Sequence, residues 1–484
     1  MKKYARKIIL CLGIALFLIV CFVVYFAIVK VAPIGAGYKA KMLCSYLFVS
    51  GRQLDDVLNN DLEPFNPLLA YVDADVDYEN KSVTATAFGL VTRRAVYNDC
   101  LGCTLIPPSW KPDQLKFPPA CIDPEPAVPE TVPWPTGDLN AEATTSPEID
   151  FAGLQAALDK EFSEPNPEKP RRARAVVVVH KGHIVAERYA PGFDKAMPMH
   201  GWSMTKSITS ALVGILVGQG KFSVGDPAPI AEWRRPDDPH GAITIDHLLH
   251  MSAGFDFHHD VSPVGQRQQA LFGAIDSTKY SIECPLEVEP GSRWEYANAN
   301  PHSLWRIIRD TFGGNDEDYL KFPRHALFNR IGMRTALIEP DPYGNFIGTS
   351  FGWASARDWA RFGLLYLNDG VWEGERILPE GWVDYTRTPA PAAEHKHYGA
   401  LFWLNAGAKE FSHMTRQQKG MQNVPPFPRL PEDAYFAMGH DGQVVAIIPS
   451  RQLVVVRLGL SRSDETWDYE SFMADVLAAI KDSA

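Results

Sequence analysis

The sequence predicts an α+β fold. Strands from the two ends of one domain would form an antiparallel sheet flanked by helices, with a mainly helical region inserted between them and a transmembrane helix ahead of everything. Three patterns carry that prediction. Valine-rich strand signals stand at residues 175–179 and 183–189 and return at 444–448 and 453–460. The stretch between them holds apolar residues at helical spacing. An uncharged apolar run from Ile8 to Val29 is long enough to cross a bilayer.

The chain has 484 residues, 46% apolar and 22% charged, which is globular in composition and more than one ordinary domain. Its formal net charge of −11 argues against nucleic acid as a partner. Lys2, Lys3, Arg6 and Lys7 precede the apolar run and Lys30 closes it. A cleaved signal has a shorter apolar core, about 7–15 residues, and only Gly35-Ala36-Gly37 offers an arguable cleavage site. The run therefore reads as an uncleaved single-pass anchor in the inner membrane. Residues 1–32 form a cytoplasmic tip and the anchor, and the basic flank leaves everything after Lys30 on the periplasmic side. Cysteine usage agrees with that compartment. Cys44, Cys100, Cys103 and Cys121 follow the anchor, and two disulfides are expected among them, with three connectivities open. Their irregular spacing argues against a zinc site. Cys284 remains as a free, buried thiol.

Residues 33–106 read as a small accessory region, with a helix at 40–58 and one or two Val/Thr-rich strands within 82–96. Residues 107–148 are proline-dense and read as an extended connector, docked at Trp110, Phe117 and Trp134. The main domain, 149–484, opens with a helix at 151–162. The strands 175–179 and 183–189 form a hairpin about Lys181-Gly182. A buried helix follows Ser203: Ile208, Leu212, Ile215 and Leu216 recur on one face, and Ser210, Ala211 and Gly214 keep the other small. Shorter helices are expected at 243–251, capped by Thr244, and at 301–312. Another, at 355–367, opens with the capping box Ser355-Ala356-Arg357-Asp358. The last two strands turn about Pro449-Ser450-Arg451, and a helix at 470–480 closes the chain.

The chemistry centres on Trp202-Ser203-Met204-Thr205-Lys206. Lys206 lies three residues after Ser203, on the same helical face one turn above the hydroxyl. A serine needs a nearby base to become a nucleophile, and a lysine lowered in pKa by burial supplies one. The helix N-terminus would also aim the Ser203 N–H at an oxyanion. Alone, S-x-x-K is expected on the order of once by chance in a chain this long. Two further clusters follow it in order: Tyr296-Ala297-Asn298, then His440-Asp441-Gly442-Gln443 just before a C-terminal strand.

In that order the three motifs resemble the serine hydrolases that include class C β-lactamases, D-alanyl-D-alanine carboxypeptidases, related esterases and 6-aminohexanoate-dimer hydrolases, with the last closest in look. The resemblance covers about residues 149–484. It extends to His247-Leu248-Leu249-His250-Met251-Ser252-Ala253-Gly254 and to Ala356-Arg357-Asp358-Trp359-Ala360-Arg361-Phe362-Gly363. It implies a β-lactamase-like domain in which Ser203 is acylated and Lys206 and Tyr296 share the base work. A Lys206 cation would stabilise the Tyr296 phenolate. Asn298 would bond the substrate or Lys206, and Ser203 N–H with an N–H near Gln443 would form the oxyanion hole, beside His440 and Gly442. No metal or cofactor is implied. His440 replaces the lysine that β-lactamases carry; a histidine is mostly neutral at pH 7, which favours a small ester or amide, or a short peptide-like one, over an antibiotic. The alternatives are a β-lactamase or peptidoglycan D,D-peptidase and, in another class, a catalytically inactive binding protein on the same fold.

Competing readings are weaker. Gly348-Thr349-Ser350-Phe351-Gly352 fits the G-x-S-x-G nucleophile elbow, but that motif needs a strand directly before and a helix directly after; a loop lining the site is expected instead. His258-His259-Asp260 is a poor metal site because adjacent histidines point apart. His200 is expected to border the pocket, and His247 and His250 to be packing or helix-end residues.

Overall fold

The computed structural model describes residues 2–62, 67–115, 117, 130–139, 146–258, 262, 264–406, 427–462 and 467–481. The N-terminal helix α1 (Lys2–Phe26) runs through a π-helical stretch, Ala27–Val31, straight into α2 (Ala32–Phe48). The side chains of the first part stand exposed, as at Ile9 and Phe17, and the helix is long and apolar enough to cross a membrane. The expected helix at 40–58 thus begins earlier and stops sooner. It ends at Ser50-Gly51, where Gly51 takes φ +70° and redirects the chain. Four antiparallel strands follow in sequence order: β1 (Val72–Asp77), β2 (Ser82–Ala87), β3 (Val91–Asn98) and β4 (Gly102–Ile106). Two of these escaped the sequence reading. Asp73, Asp75 and Asp77 disguise β1, and β4 is short and buried throughout.

One expected disulfide forms between Cys44 on α2 and Cys103 on β4. Cys100 is also disulfide-bonded, and Cys121 lies outside the described residues. Cys284 is free and buried. The proline-rich stretch is described in part, and its three aromatic residues dock as expected. Trp110 packs on Tyr343, Phe117 joins the main core, and Trp134 donates to Gly182 O at 3.1 Å beneath the Arg361 guanidinium.

The main sheet has six strands rather than the four expected. In chain order they are β5 (Ala173–His180), β6 (His183–Tyr189), and, after the inserted region, β12 (Trp403–Leu404), β13 (Tyr435–Gly439), β14 (Gln443–Ile448) and β15 (Leu453–Gly459). Their spatial order is β12-β13-β14-β15-β5-β6, all antiparallel, so the first and last thirds of the domain meet where β15 pairs with β5. Both faces are covered, and period-2 alternation sorts the side chains. Val177, Val179, Val454 and Val456 enter the main core, while Val176, Val178, Leu453 and Val455 enter a second core under α3 (Phe151–Glu161) and the C-terminal helix Tyr469–Ala478.

Between the two halves come β7 (Met199–His200), β8 (Leu337–Ile338) and β9 (Gly352–Ala354), which form a small sheet in the order β7-β9-β8, and the hairpin β10 (Val371–Trp372) and β11 (Glu375–Arg376). The helices of this region that bear on the site are α4 (Thr205–Gly218), α5 (Ile245–Leu249), α6 (Ala299–Asp310) and α7 (Ala356–Leu367). Thr244 caps α5 as expected, with the His247 ring closing the box. Ser355 caps α7 by accepting from Asp358 N at 3.2 Å, but the Asp358 carboxylate does not reach back. It takes Thr335 and Arg361 instead, because both stronger donors are within 2.9 Å.

Arg457 on β15 is fully buried, bonded to Glu161 at 2.9 Å, and Glu161 also accepts from Trp467 Nε1. Removing one partner strands the other charge. Glu161→Ala is expected to cost about 3–5 kcal/mol of stability in a chemical denaturation series.

Candidate active site

Ser203 sits in a 3₁₀ turn, Trp202–Met204, immediately before α4, a little earlier than the first helical turn expected. Three constraints place this turn. Trp202 adopts φ +47°, a left-handed conformation unfavourable for a bulky residue and paid for by its surroundings. Gly201 N donates to Gly352 O at 2.9 Å, tying the turn to the small sheet. Thr205 Oγ1 closes the turn on Trp202 O at 2.6 Å and accepts from Gly352 N. Both flanking glycines are required by close approach: a Cβ on Gly201 would lie 2.4 Å from the Trp359 ring, and one on Gly352 would lie 2.6 Å from Thr205 Oγ1.

Lys206 is 1% exposed, and its Nζ lies 2.9 Å from Ser203 Oγ and 2.8 Å from Thr349 O. Ser203 itself is partly exposed, so a hydroxyl that solvent reaches stands over an amine that it does not. Burial drives the Lys206 pKa well below its ordinary value, and the positive charge of Arg267 adds to the effect. Tyr296 comes from the segment before α6, is partly exposed, and hydrogen-bonds Ser203. Lys206 Nζ stands 4.9 Å from the centre of its ring. The phenol's pKa is raised above its ordinary value by burial, outweighing the Ser203 bond and Arg267. Burial thus works against the charged form of both groups, the Lys206 ammonium and the Tyr296 phenolate.

Asn298 is buried at the start of α6 and makes no hydrogen bond to Lys206; its Oδ1 has no partner among the described residues. His440, Asp441 and Gly442 form a turn between β13 and β14 beside the serine. The His440 ring is half-exposed and edge-on to Trp202, with centroids 5.6 Å apart. Gly442 takes φ +80°. The Gln443 side chain points away from the site, bonding Gly459 through both its ends at 2.6 and 3.0 Å, so only its backbone remains for the role expected of it.

The segment read as a competing nucleophile elbow supplies partners instead. Ser350 is buried, its carbonyl 2.7 Å from His200 Nε2, and Thr349 gives its carbonyl to Lys206 and its hydroxyl to His302 Nε2 at 2.8 Å. Sequence reasoning missed His302. It is buried, burial lowers its pKa to about 4, and it also contacts Ser277 O and Ser281. Nothing local marks it, since its partners are distant in sequence. Missed too was the aromatic wall at Tyr296: Trp403 lies 5.2 Å away, Tyr398 5.9 Å away, and Trp294 packs on both.

The other histidines resolve simply. His200 does not line the serine side; it is buried between the rings of Trp202 and Trp353, and burial takes its pKa to about 3. His247 caps α5 and His250 pairs with Asp246 at 2.9 Å. His258 is exposed and reaches Asp256 and Glu295, while His259 and Asp260 lie outside the described residues. Asp256, His258 and Glu287 come together, but Glu287 and Glu295 already share Arg293.

A sequence profile of the family described as Beta-lactamase matches residues 158–469. The 6-aminohexanoate-dimer hydrolase of Paenarthrobacter ureafaciens is 26% identical over 273 residues, 53% of this chain and 64% of its own length. Protein Rv1367c of Mycobacterium tuberculosis is 27% identical over 257 residues, 42% of this chain and 63% of its own. The chain thus spans somewhat less than two thirds of either relative. Among solved structures, a penicillin-binding protein homologue from Caulobacter crescentus superposes with a TM-score of 0.51 at 14% identity, covering 68% of this chain and 97% of the other. A family VIII carboxylesterase gives a TM-score of 0.51 at 14% identity, covering 69% and 97%. These structural likenesses show the fold.

The third motif must approach the serine turn without side-chain bulk. A Cβ on Gly439 would stand 2.1 Å from Gly201 O. Gly439→Ala should force β13 away from the turn and lower stability by about 1–3 kcal/mol; an unchanged melting temperature would show that the two backbones do not abut.

Proposed function

The chain belongs to the beta-lactamase family, and on that footing we propose that it is a membrane-anchored serine hydrolase that opens an ester or amide through an acyl-enzyme on Ser203. One observation carries the proposal: a partly exposed Ser203 hydroxyl 2.9 Å from the Nζ of a buried lysine whose pKa is pushed down. Lys206 in its free-base form takes the Ser203 proton as Oγ bonds to the substrate carbonyl carbon. The Ser203 N–H holds the developing oxyanion, together with an N–H from the strand end that pairs Gly439 with Gln443. Tyr296, still protonated, gives its proton to the departing oxygen or nitrogen as the carbonyl–heteroatom bond breaks, and Lys206 returns one to it. Water then attacks the acyl carbon by the reverse sequence and frees Ser203.

Substrate selection rests on what surrounds this pair. Asn298 is buried at the start of α6, with its amide oxygen unpartnered among the described residues, and would reach a substrate only as the site opens. Trp403, Tyr398 and Trp294 offer an apolar flank. His440 presents an imidazole rather than an ammonium. That combination favours a small ester or amide, or a short peptide-like one, over an antibiotic. The apolar run ahead of α2 would hold the enzyme at the membrane, with the hydrolase domain on the periplasmic side; the Cys44–Cys103 bond agrees with an oxidising compartment.

A fluorophosphonate probe should label the wild-type protein and leave Ser203→Ala unlabelled; equal labelling of the two would refute the nucleophile. p-Nitrophenyl esters should turn over faster than nitrocefin, and the opposite order would make a β-lactamase the better reading.

The pH dependence has a definite sign. Lys206 must be uncharged to act, so the rate rises with pH through its pKa, and that limb should fall well below the ordinary lysine value near 10.4. A rate that climbs only above pH 10 would contradict the assignment.

A further inference from the structure

We propose that the accessory region is a positioning element for Lys206, acting through the buried Lys41–Glu339 pair. The proposal rests on the reading of Lys206 as the base of Ser203. The loop between β8 and β9 is the link. Its two ends are joined: Glu339 N donates to Phe351 O at 3.0 Å, and Ile347 N to Glu339 O at 3.0 Å. Its far end reaches the catalytic helix, with Thr349 O on Lys206 and Gly348 O accepting from Thr209 at 2.9 Å. Trp305 seals it, since a Cβ on Gly348 would lie 1.6 Å from that indole.

The Glu339 carboxylate, with no exposure to solvent, is where the accessory region holds this loop. Lys41 on α2 lies 2.5 Å from Oε2, and Ser45 donates to Oε1 at 2.7 Å. Cys103 N on β4 donates at 2.7 Å, and Trp353 Nε1 at 2.8 Å. Three of these four partners belong to the accessory region. Lys41 also stands over the Phe351 ring, 4.6 Å from its centre, and bonds Cys103 O. Gly102 shows independently that the strand is fitted to the carboxylate: a Cβ there would meet Glu339 Oε1 at 2.7 Å. A shared apolar core backs the contact, with Phe351, Trp353, Ile347 and Phe272 packed among residues of α2 and the strands. The Cys44–Cys103 bridge ties α2 to β4 beside the pair.

Weakening the anchor has two opposed effects on Lys206. Loss of the Thr349 carbonyl would disfavour the ammonium, whereas entry of water would restore it. Burial is the first cause of the depressed pKa, and the entry of water behind a loosened loop is taken as the effect that prevails, which moves the pKa upward. The other charged or titratable groups facing Lys206 are Tyr296, Arg267 and His302. None of them belongs to the accessory region; Arg267 is carried by the segment whose Phe272 packs against α2, while the Glu339 carboxylate acts on the loop directly.

The test compares Glu339→Gln and Ser45→Ala with Leu154→Ala, which opens a cavity in the second core, on the other face of the sheet from the main core. Two readouts are taken on the full chain: the pH–rate curve with a p-nitrophenyl ester, and the titration of the Lys206 ε-carbon by NMR on carbon-13 lysine-labelled protein, assigned by its loss in Lys206→Met. In Glu339→Gln the Lys206 titration should rise by about one pH unit, so that on the limb below that pKa the free amine and kcat fall roughly tenfold, with KM little changed, while the plateau above it is kept. Ser45→Ala should shift it in the same direction by less, and Leu154→Ala should lower stability without moving it. An unmoved titration in Glu339→Gln and Ser45→Ala would overturn the proposal and leave the pair a structural brace. The NMR readout stands even without turnover, so failure of the hydrolase reading is seen separately, as absent labelling of wild-type Ser203.

Discussion

A lysine with 1% exposure beside a reactive hydroxyl is the constraint on which this architecture depends. An isolated buried ammonium is costly, so the group must be partnered, lose its charge, or both. Here the amine bonds the Ser203 hydroxyl and the Thr349 carbonyl, and burial, aided by the charge of Arg267, works against its ammonium form. The site therefore keeps the amine inclined toward its free base. The fold has to supply a carbonyl from a remote segment, exclude water around it, and still leave the serine open. The 3₁₀ turn and the start of α4 supply the spacing of serine and lysine, the β8–β9 loop supplies the carbonyl, and α6 delivers His302 to fix that loop by its Thr349 hydroxyl.

The six-stranded sheet serves this site indirectly. Pairing of β15 with β5 closes the two ends of the domain on each other, which brings the end of β13 against the turn at Gly201. The inserted helices then bring Tyr296 over Lys206. Polar burial is matched by partners across the molecule: Arg457 by Glu161, Asp358 by Arg361 and Thr335, Lys41 by Glu339. Each joins segments far apart in the chain or fixes a helix end, so the same pairs that offset desolvation also specify which segments meet.

The accessory region is more closely joined to the site than its place in the chain suggests. Helix α2 continues the N-terminal apolar helix, and its buried face packs at once against its own four strands and against the loop that carries Thr349.

Much of this was legible in the residues. Strong periodicity marked the valine-rich strands and the apolar helices, because local pattern and burial agree there. Ser203, Lys206, Tyr296 and Asn298 were legible because S-x-x-K and Y-x-N preserve fixed spacings on rigid local structure. Thr244 as a cap and Cys284 as a buried thiol also followed from local chemistry. The strand β1 did not, since alternate aspartates mask its pattern, and neither did the extent of α2, which takes in Pro33 directly after the π-helical stretch Ala27–Val31. What the sequence determined by itself was the set of candidate groups, Ser203, Lys206 and Tyr296. The environment of Lys206 and Tyr296 was decided by tertiary structure, because the burial that disfavours the charged form of each depends on segments brought in from elsewhere. The same holds for His302, Thr349 and Glu339: their partners lie up to 294 residues away in the chain, and no local pattern records a contact of that span.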